Sequence, residues 1–362
     1  LLRGAQSLFG LKTQFQFGRL SITGILSRQQ GKAESIKIDN GFQGREFEII
    51  GSNYDRNRHY FLGHFFRDNY ERWLSSLPLV TSGINVNRVE VYILNRTNNS
   101  ESLRNFAAFT DLGEGRVILK QSNSQIGTGS GGPNDNSSNL LFSNLTSNAV
   151  LRDIDQVDNL LSSQFIFSKS LDYEKVTSAR KLDTDEYEIN KTLGYISLLR
   201  RLQNDEVLAV SYEYTYNGER FKVGELTEDY QNRDESEVIF LKLLRPSNIN
   251  VSIPSWDLMM KNIYNLNATR IESENFELKV NYRDDAVGFN NPSLNEGILT
   301  RDKPLVRLLG LDRLNSNNDP QYDGNFDFVE GFTINPERGN IIFPVLEPFG
   351  STLDLYFQES SE

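Results

Sequence analysis

The chain has 362 residues, with 38 Lys and Arg against 49 Asp and Glu for a formal charge of −11, a length that accommodates two or three domains with sizeable cores. That acidic balance argues against binding nucleic acid or an anionic bilayer surface, both of which reward clustered basic residues. The lack of cysteine rules out disulfides, thiolate metal sites and cysteine nucleophiles.

Phenylalanine (23) and tyrosine (15) are abundant and methionine (2) scarce, a bias toward pleated, half-buried surfaces. No signal peptide opens the chain, no apolar run is long enough for a membrane helix, and the first residue is Leu1. The sequence therefore reads as an internal piece of something larger.

In residues 11–28, Leu11, Thr13, Phe15 and Phe17 alternate with Lys12, Gln14 and Gln16; after Gly18-Arg19 the alternation restarts at Leu20, Ile22, Gly24 and Leu26. A two-residue turn with glycine first suits a type II′ hairpin. Each arm is close to the roughly 9–11 residues of a transmembrane barrel strand, although a soluble hairpin gives the same pattern. Two strands cannot close a barrel, so a membrane reading places the remaining strands outside this sequence. Residues 36–50 look like two short strands broken at Asn40-Gly41.

The segment Arg58–Pro78 is the organising element. Leu62, Phe66, Tyr70, Trp73, Leu74 and Leu77 recur at helical spacing, with Arg67, Asp68, Glu71 and Arg72 opposite. Asp55 or Asn57 is the expected cap, Pro78 the stop, and Gly63 an internal cost of roughly 1 kcal/mol. Most of the flanking sequence has the period of strands, so this helix is expected to cover the apolar face of a sheet.

Ile84–Leu94 reads as a strong strand and Phe106–Leu112 as a weaker one. Residues 121–139 have the composition of a flexible surface loop, within an insert at 113–148. Gly127, Gly129 and Gly132 match the spacing of a dinucleotide fingerprint, but Pro133-Asn134-Asp135-Asn136 follows where a helix would have to begin, so they are read as linker. Residues 149–161 suit a short helix. Glu186–Asn190, Tyr195–Leu198 and Glu206–Tyr214 then form a meander whose tight loop runs from Asn190 to Gly194.

The meander has an echo at a constant offset of 145: Ile189 with Ile334, Asn190 with Asn335, Gly194 with Gly339, Ile196 with Ile341, then Leu208, Val210 and Tyr212 with Leu353, Leu355 and Phe357. Trp256, Met259, Met260 and Ile263 are spaced like Tyr70, Trp73, Leu74 and Leu77, and Phe276, Leu278 and Val280 like Val89, Val91 and Ile93. Two tandem copies of one helix-plus-meander module follow from this, the competing account being that hairpins reuse turn chemistry.

The chemical candidate is an acidic loop within 312–330. Asp319, Gln321, Asp323, Asn325 (by its carbonyl), Asp327 and Glu330 fall at positions one, three, five, seven, nine and twelve, with Gly324 at six. This is near the calcium loop of an EF-hand, where hard oxygens surround Ca2+. Gln321 departs from the pattern and the flanks are not helices, which favours a polar loop that only resembles it. His59 and His64 are five apart, on different faces of a helix, and suit packing or capping better than a metal pair. Neither a G-x-S-x-G elbow nor a Walker loop occurs. Acidic pairs such as Asp185-Glu186 and Asp284-Asp285 are expected of any acidic surface.

Gly4–Gly24, the segment RHYFLGHFFRDNYERWLSSLP, Pro254–Leu266 and above all Pro304–Gly350 resemble the SprA/Sov family of Bacteroidota cell-surface proteins. The resemblance implies an outer-membrane translocon of the type IX secretion system, a very large barrel that exports folded cargo and supports gliding motility, with no catalytic residues to carry over. Its implied partners are other secretion subunits, a PorV-like outer-membrane protein and a plug protein among them, and exported cargo.

The expected fold is α+β and β-dominant, with antiparallel sheets each covered by a short helix. Its expected parts are a barrel-type hairpin at 1–35, a first module at 36–225 and a related second module at 226–362. The expected function is a non-catalytic part of that channel at the cell surface, shaping or gating its mouth, with an extracellular cap favoured over a periplasmic one. The alternatives are a secreted calcium-stabilised adhesin or carbohydrate-binding module and, third, an acidic hydrolase.

Overall fold

A computed structural model describes residues 8–17, 20–29, 35–39, 42–95, 103–119, 123–274, 276–283, 288–294 and 299–358. By contact the chain divides into Leu1–Ile50 and Gly51–Glu362. The first unit is two antiparallel hairpins: β1 (Leu8–Phe17) with β2 (Leu20–Gln29), and β3 (Ser35–Asp39) with β4 (Phe42–Glu46). The first register sets Leu11 opposite Leu26, Phe15 opposite Ile22 and Phe17 opposite Leu20, as the alternation predicts. The turn residues Gly18-Arg19 and Asn40-Gly41 lie outside the described residues.

The second unit opens with β5 (His59–Phe61) and α1 (His64–Trp73). The organising segment is thus a strand, a turn and a shorter helix, because β5 is claimed by sheet pairing with a later strand. Neither Asp55 nor Asn57 caps the helix. Gly63 is the N-cap, extended at φ −176° and ψ 172°, and no side chain of its own is available. It lies outside the helix and costs it nothing; a Cβ there would stand 2.1 Å from Asn134 Nδ2.

Next come β6 (Ile84–Leu94), β7 (Arg104–Phe109), α2 (Leu141–Ser147), α3 (Val157–Ser163) and β8 (Tyr173–Lys181). They are followed by β9 (Tyr187–Asn190), β10 (Tyr195–Leu198), β11 (Leu208–Tyr216), β12 (Glu219–Val223), α4 (Thr227–Tyr230) and β13 (Val238–Arg245). Five of these strands close a barrel in the order β6-β11-β13-β7-β8 and back to β6, and β12 extends from β11 beside it. A ring of five cannot alternate direction throughout; the one parallel pair is β7 with β13. Tyr92, Phe106, Val176, Ala209, Ile239 and Leu241 fill one core with Tyr230 of α4. A register shift between Glu213 and Tyr214, opposite Arg88 and Val86, changes the phase of β6. Val86, Val89, Val91 and Ile93 therefore all join the core shared with α1.

α1 lies between that wall and the sheet β5-β10-β9. Phe66 meets Tyr212 and Tyr214 edge-on, at 5.9 and 5.1 Å, an arrangement aromatic quadrupoles favour. Tyr70 and Trp73 are buried beside it.

The remaining elements are β14 (Ile263–Asn265), β15 (Tyr282–Arg283), β16 (Asn290–Asn291), α5 (Leu305–Leu308), β17 (Ile334–Asn335), β18 (Asn340–Ile342) and α6 (Ser351–Gln358). The sheet β14-β18-β17 repeats the order of β5-β10-β9. Ile196 faces Ile189 and Tyr60, and 145 residues on Ile341 faces Ile334 and Tyr264. Gly194 O accepts from Leu62 N at 3.0 Å and Gly339 O from Leu266 N at 2.8 Å, both glycines having positive φ. The two sheets adjoin through their outer strands, Asp55 N donating to Ile263 O at 2.8 Å and Met260 N to His59 O at 2.9 Å.

Three expectations fail nearby. The second helix is a short 3-10 turn at Pro254–Leu258, after which the chain is extended, because β14 is bonded to β18 and Met260 to His59. Phe276–Val280 forms no strand; Phe276 packs edge-on against Phe326 and Phe328 instead. Residues 351–358, expected as a strand, are helical with none buried. The helix satisfies the backbone internally, and Leu353 and Tyr356 rest on Leu294, Leu305 and Leu308.

Gly194 has φ 68°, and a Cβ would stand 2.0 Å from the Phe66 ring, whereas Gly218, at φ 88°, has open space around it. Gly194→Ala is expected to cost about 3 kcal/mol, from backbone strain and overpacking together, and Gly218→Ala about 1 kcal/mol, read from urea midpoints.

Candidate functional site

The six oxygens proposed for calcium are not gathered. Asp319, Gln321, Asp323, Asn325 and Glu330 are exposed and Asp327 is buried. Asp327 accepts from Arg313 N at 2.6 Å and Leu314 N at 3.2 Å, and Asp323 Oδ1 from Asn325 N at 2.9 Å. Asp312, which the spacing did not single out, is buried and accepts from the amides of Asp323 and Gly324 at 3.0 and 3.1 Å. Gly324 does take the positive φ a sharp turn requires, 85°. Among the described residues no group of three or more His, Asp or Glu is placed to hold a metal ion. Burial pushes the Asp327 carboxyl up to about 6, against the pull of its two amide bonds, with Asp312 and Asp323 adding repulsion. Burial likewise raises Asp312.

Both histidines are buried in polar clusters, on different elements. His64, first residue of α1, donates its backbone N–H to Glu114 Oε1 at 3.2 Å, and its Nδ1 lies 2.9 Å from the same oxygen. Lys242 of β13, 0% exposed, places Nζ 2.6 Å from Glu114 Oε1 and also donates to Thr110 O. Burial alone would raise the Glu114 carboxyl, but the Lys242 charge and His64 outweigh it and hold the group down at about 2. The cap that Asp55 does not supply thus comes from Glu114, fifty residues further along the chain.

Asp55 closes the second cluster. His59 Nε2 is 3.2 Å from Asp55 Oδ2, His59 Nδ1 is 2.7 Å from Ser197 Oγ, and Arg201 reaches Asp55 Oδ1 at 2.8 Å. Burial would raise the Asp55 carboxyl, but the bonds from His59 and Arg201 hold it well below the ordinary range; burial lowers the His59 imidazole. These are the residue types of a hydrolase triad. Ser197, however, sits within β10, paired with His59 on one side and Glu188 on the other, so its strand is committed to the sheet.

The glycine-serine insert packs against the barrel. Asn134 is wholly buried, takes a bond from the Tyr214 hydroxyl on its carbonyl at 2.7 Å and donates to the Tyr212 hydroxyl at 3.3 Å. Asn136 exchanges bonds with Gly224, and Asp135 accepts from Lys222 N. Gly115 approaches the Gly132 carbonyl so closely that a Cβ would stand 1.9 Å away. Gly127 and Gly129 have positive φ and lead through this loop to α2, with no helix beginning at Gly132. Further on, Glu225 takes both Arg152 nitrogens, at 2.5 and 2.7 Å, and Arg233 at 2.9 Å. Of the acidic pairs, Glu186 is held by Arg180, and Asp284-Asp285 lies outside the described residues.

Glu114 and Lys242 escaped the sequence reading, and only Lys242 left a signal, as a lone charge in the apolar run Val238–Leu244. The 3-10 turn at Pro254 completes the surroundings of α1: Pro254 O lies 3.2 Å from His64 Nε2, and Arg313 donates to Leu74 O at the other end of the helix at 2.9 Å.

With this geometry in place, comparison with known protein families finds a match for part of the chain. Residues 2–128 fit the family model SprA_N, described as motility related/secretion protein. No curated protein matches the chain.

Replacing Glu114 by Gln leaves the Lys242 ammonium buried without its counter-charge, at an expected cost of about 3–5 kcal/mol, and adding Lys242→Met is expected to recover much of it. Because the folded-state Glu114 pKa is depressed, its contribution is present above the unfolded value and is lost as pH falls through about 2. Chemical denaturation from pH 6 downward is expected to show that acid limb in the wild type and to lack it in the double variant.

Proposed function

Residues 2–128 fit the model of a SprA-type motility and secretion family, and from that premise we propose that the chain is a non-catalytic part of an outer-membrane protein-translocation channel. The family match is the observation that carries this reading. Two further features support it. The ten-residue antiparallel strands β1 and β2 have the length a tilted membrane strand needs. The unit from Gly51 onward spends its buried charges on cross-links between elements, which suits a rigid body at a pore mouth better than a reaction centre. No helix among the described residues is long and apolar enough to cross a membrane.

In this reading the hairpin belongs to a larger barrel, and the unit from Gly51 onward is an extracellular cap of that channel. There it meets other secretion subunits, a PorV-like outer-membrane protein and a plug protein among them, and exported cargo. The matched registers of β5-β10-β9 and β14-β18-β17 support a duplication of that three-stranded sheet. The duplication does not extend to the helices.

We also propose that the acidic loop takes calcium by re-forming around it. The raised Asp327 pKa means its folded-state stability is full below the unfolded value near 3.8 and is lost as pH rises through about 6. A divalent ion would offset the burial, and the repulsion from Asp312 and Asp323, that raise it. Millimolar calcium added to chelator-treated protein is expected to give saturable heat and a raised melting temperature at pH 7 and neither at pH 4; no heat at pH 7 removes the proposal.

The membrane reading has its own test. The chain has no cysteine, so single cysteines at positions 20–27 can be probed with a membrane-impermeant maleimide in outer membranes. Labelling is expected to alternate, strong at Ser21, Thr23 and Ser27 and weak at Leu20, Ile22 and Leu26. Uniform labelling would overturn the assignment of this hairpin to a lipid-facing barrel.

A further inference from the structure

A recess of about 230 Å³ opens where the ends of β6, β8 and β10 meet. Ile93, Leu182, Leu198 and Leu202 form its apolar floor, and the exposed side chains of Asp185 and Arg200 stand at its rim. That volume is many times the roughly 10–15 Å³ that one water needs, so a chain of several carbons fits. Backbone bonds tie its walls down: Leu182 N donates to Val91 O at 2.8 Å, Leu199 N to Glu186 O at 2.9 Å and Leu202 N to Asn57 O at 2.9 Å. The recess is therefore built before any occupant arrives, and filling it orders little of the protein.

Of the charged side chains around the recess, two are already paired. Glu186 takes both terminal nitrogens of Arg180, at 2.5 and 2.8 Å, and Arg200 gives both of its own to the buried Glu206 carboxylate, at 3.0 and 2.8 Å. The third, Asp185, accepts no hydrogen bond and pairs with no cation among the described residues. Asp183, also exposed, adds a second negative charge to the same turn. An exposed carboxylate alone holds a cation weakly, and an apolar floor alone does not choose its guest. Side by side they complement a group with an aliphatic stem and a cationic head.

We infer that this recess receives a basic side chain, lysine or arginine, of a partner polypeptide. The aliphatic stem lies over Leu182, Leu198 and Leu202, and the charged head meets the Asp185 carboxylate, to which an ammonium donates singly and a guanidinium through two parallel N–H groups. An acidic side chain finds no free counter-charge there, because Arg200, the cation at the rim, is held by Glu206. The net charge of −11 acts in the same direction at longer range, drawing basic segments toward the surface. The site stands on its own residues, so its failure would leave the channel reading untouched.

Selective methyl labelling of isoleucine and leucine in the intact protein puts NMR probes on the floor itself, at Ile93, Leu182, Leu198 and Leu202. Titration with N-acetyl-lysine amide or N-acetyl-arginine amide at constant ionic strength is expected to give saturable shifts at those methyls, the tighter of the two identifying the head group. N-acetyl-norleucine amide has the stem of lysine without its charge, and is expected to bind about five-fold more weakly for want of one exposed ion pair. Asp185→Asn alters a carboxylate that holds nothing in the protein, so folding is expected to be unchanged while affinity for the basic amides falls by about the same factor and that for norleucine amide does not. No saturable shift with either basic amide, equal affinity for norleucine amide, or unaltered affinity in Asp185→Asn would each overturn the proposal.

Discussion

One carboxylate oxygen of Glu114 ties three elements of the second unit to one another. It receives the first amide of α1, faces the His64 ring and lies against the ammonium of Lys242. The helix, the insert and the barrel each contribute one component. Hydrogen bonds to charged groups are among the stronger ones in proteins, and a buried charge that loses its partner is far more costly than an exposed one. Each element is therefore held by a group it does not own. The same pattern recurs at Glu225, which joins Arg152 beside the insert to Arg233 beyond α4, and at Arg313, whose guanidinium covers the last turn of α1.

What was legible in the sequence was local. The alternation of residues 11–28 gave the first hairpin and its register, Ile84–Leu94 matched its strand to the residue, and the Asn190–Gly194 loop announced its turn and its echo 145 residues later. Long-range bonding decided the rest. Helical spacing at Trp256, Met259 and Met260 lost to an edge that offered backbone partners, and period-two spacing at Leu353, Leu355 and Phe357 gave way to a helix that rests Leu353 and Tyr356 on Leu294, Leu305 and Leu308. Strand β13 went unnoticed because a run buried on every side carries no alternation. For the acidic loop, spacing located the turn at Gly324 but not the use of the carboxylates, which hold backbone amides of their own segment.

The insert shows how composition can mislead. Glycine, serine and asparagine in residues 121–139 resemble a linker, yet the glycines supply positive φ and the close approach of Gly115 to Gly132, and Asp135 and Asn136 bond Lys222 of β12 and Gly224 just after it. The residues that make a polar loop soluble are also those best able to seal one against a barrel wall, because each carries both a donor and an acceptor. Asn134, wedged between Tyr212, Tyr214 and Gly63, does both.

The closed ring of strands has a consequence for dissecting this protein. The segment that fits the family model ends at residue 128, inside the insert, and includes only β6 and β7 of the five strands in the ring. Their neighbours β8, β11 and β13 all come later, as does Lys242. A truncation at residue 128 would leave two apolar strands with bare edges and a carboxylate with no ammonium, a recipe for self-association. The matched segment and the folding unit are different lengths of the same polypeptide, and expression trials should follow the second.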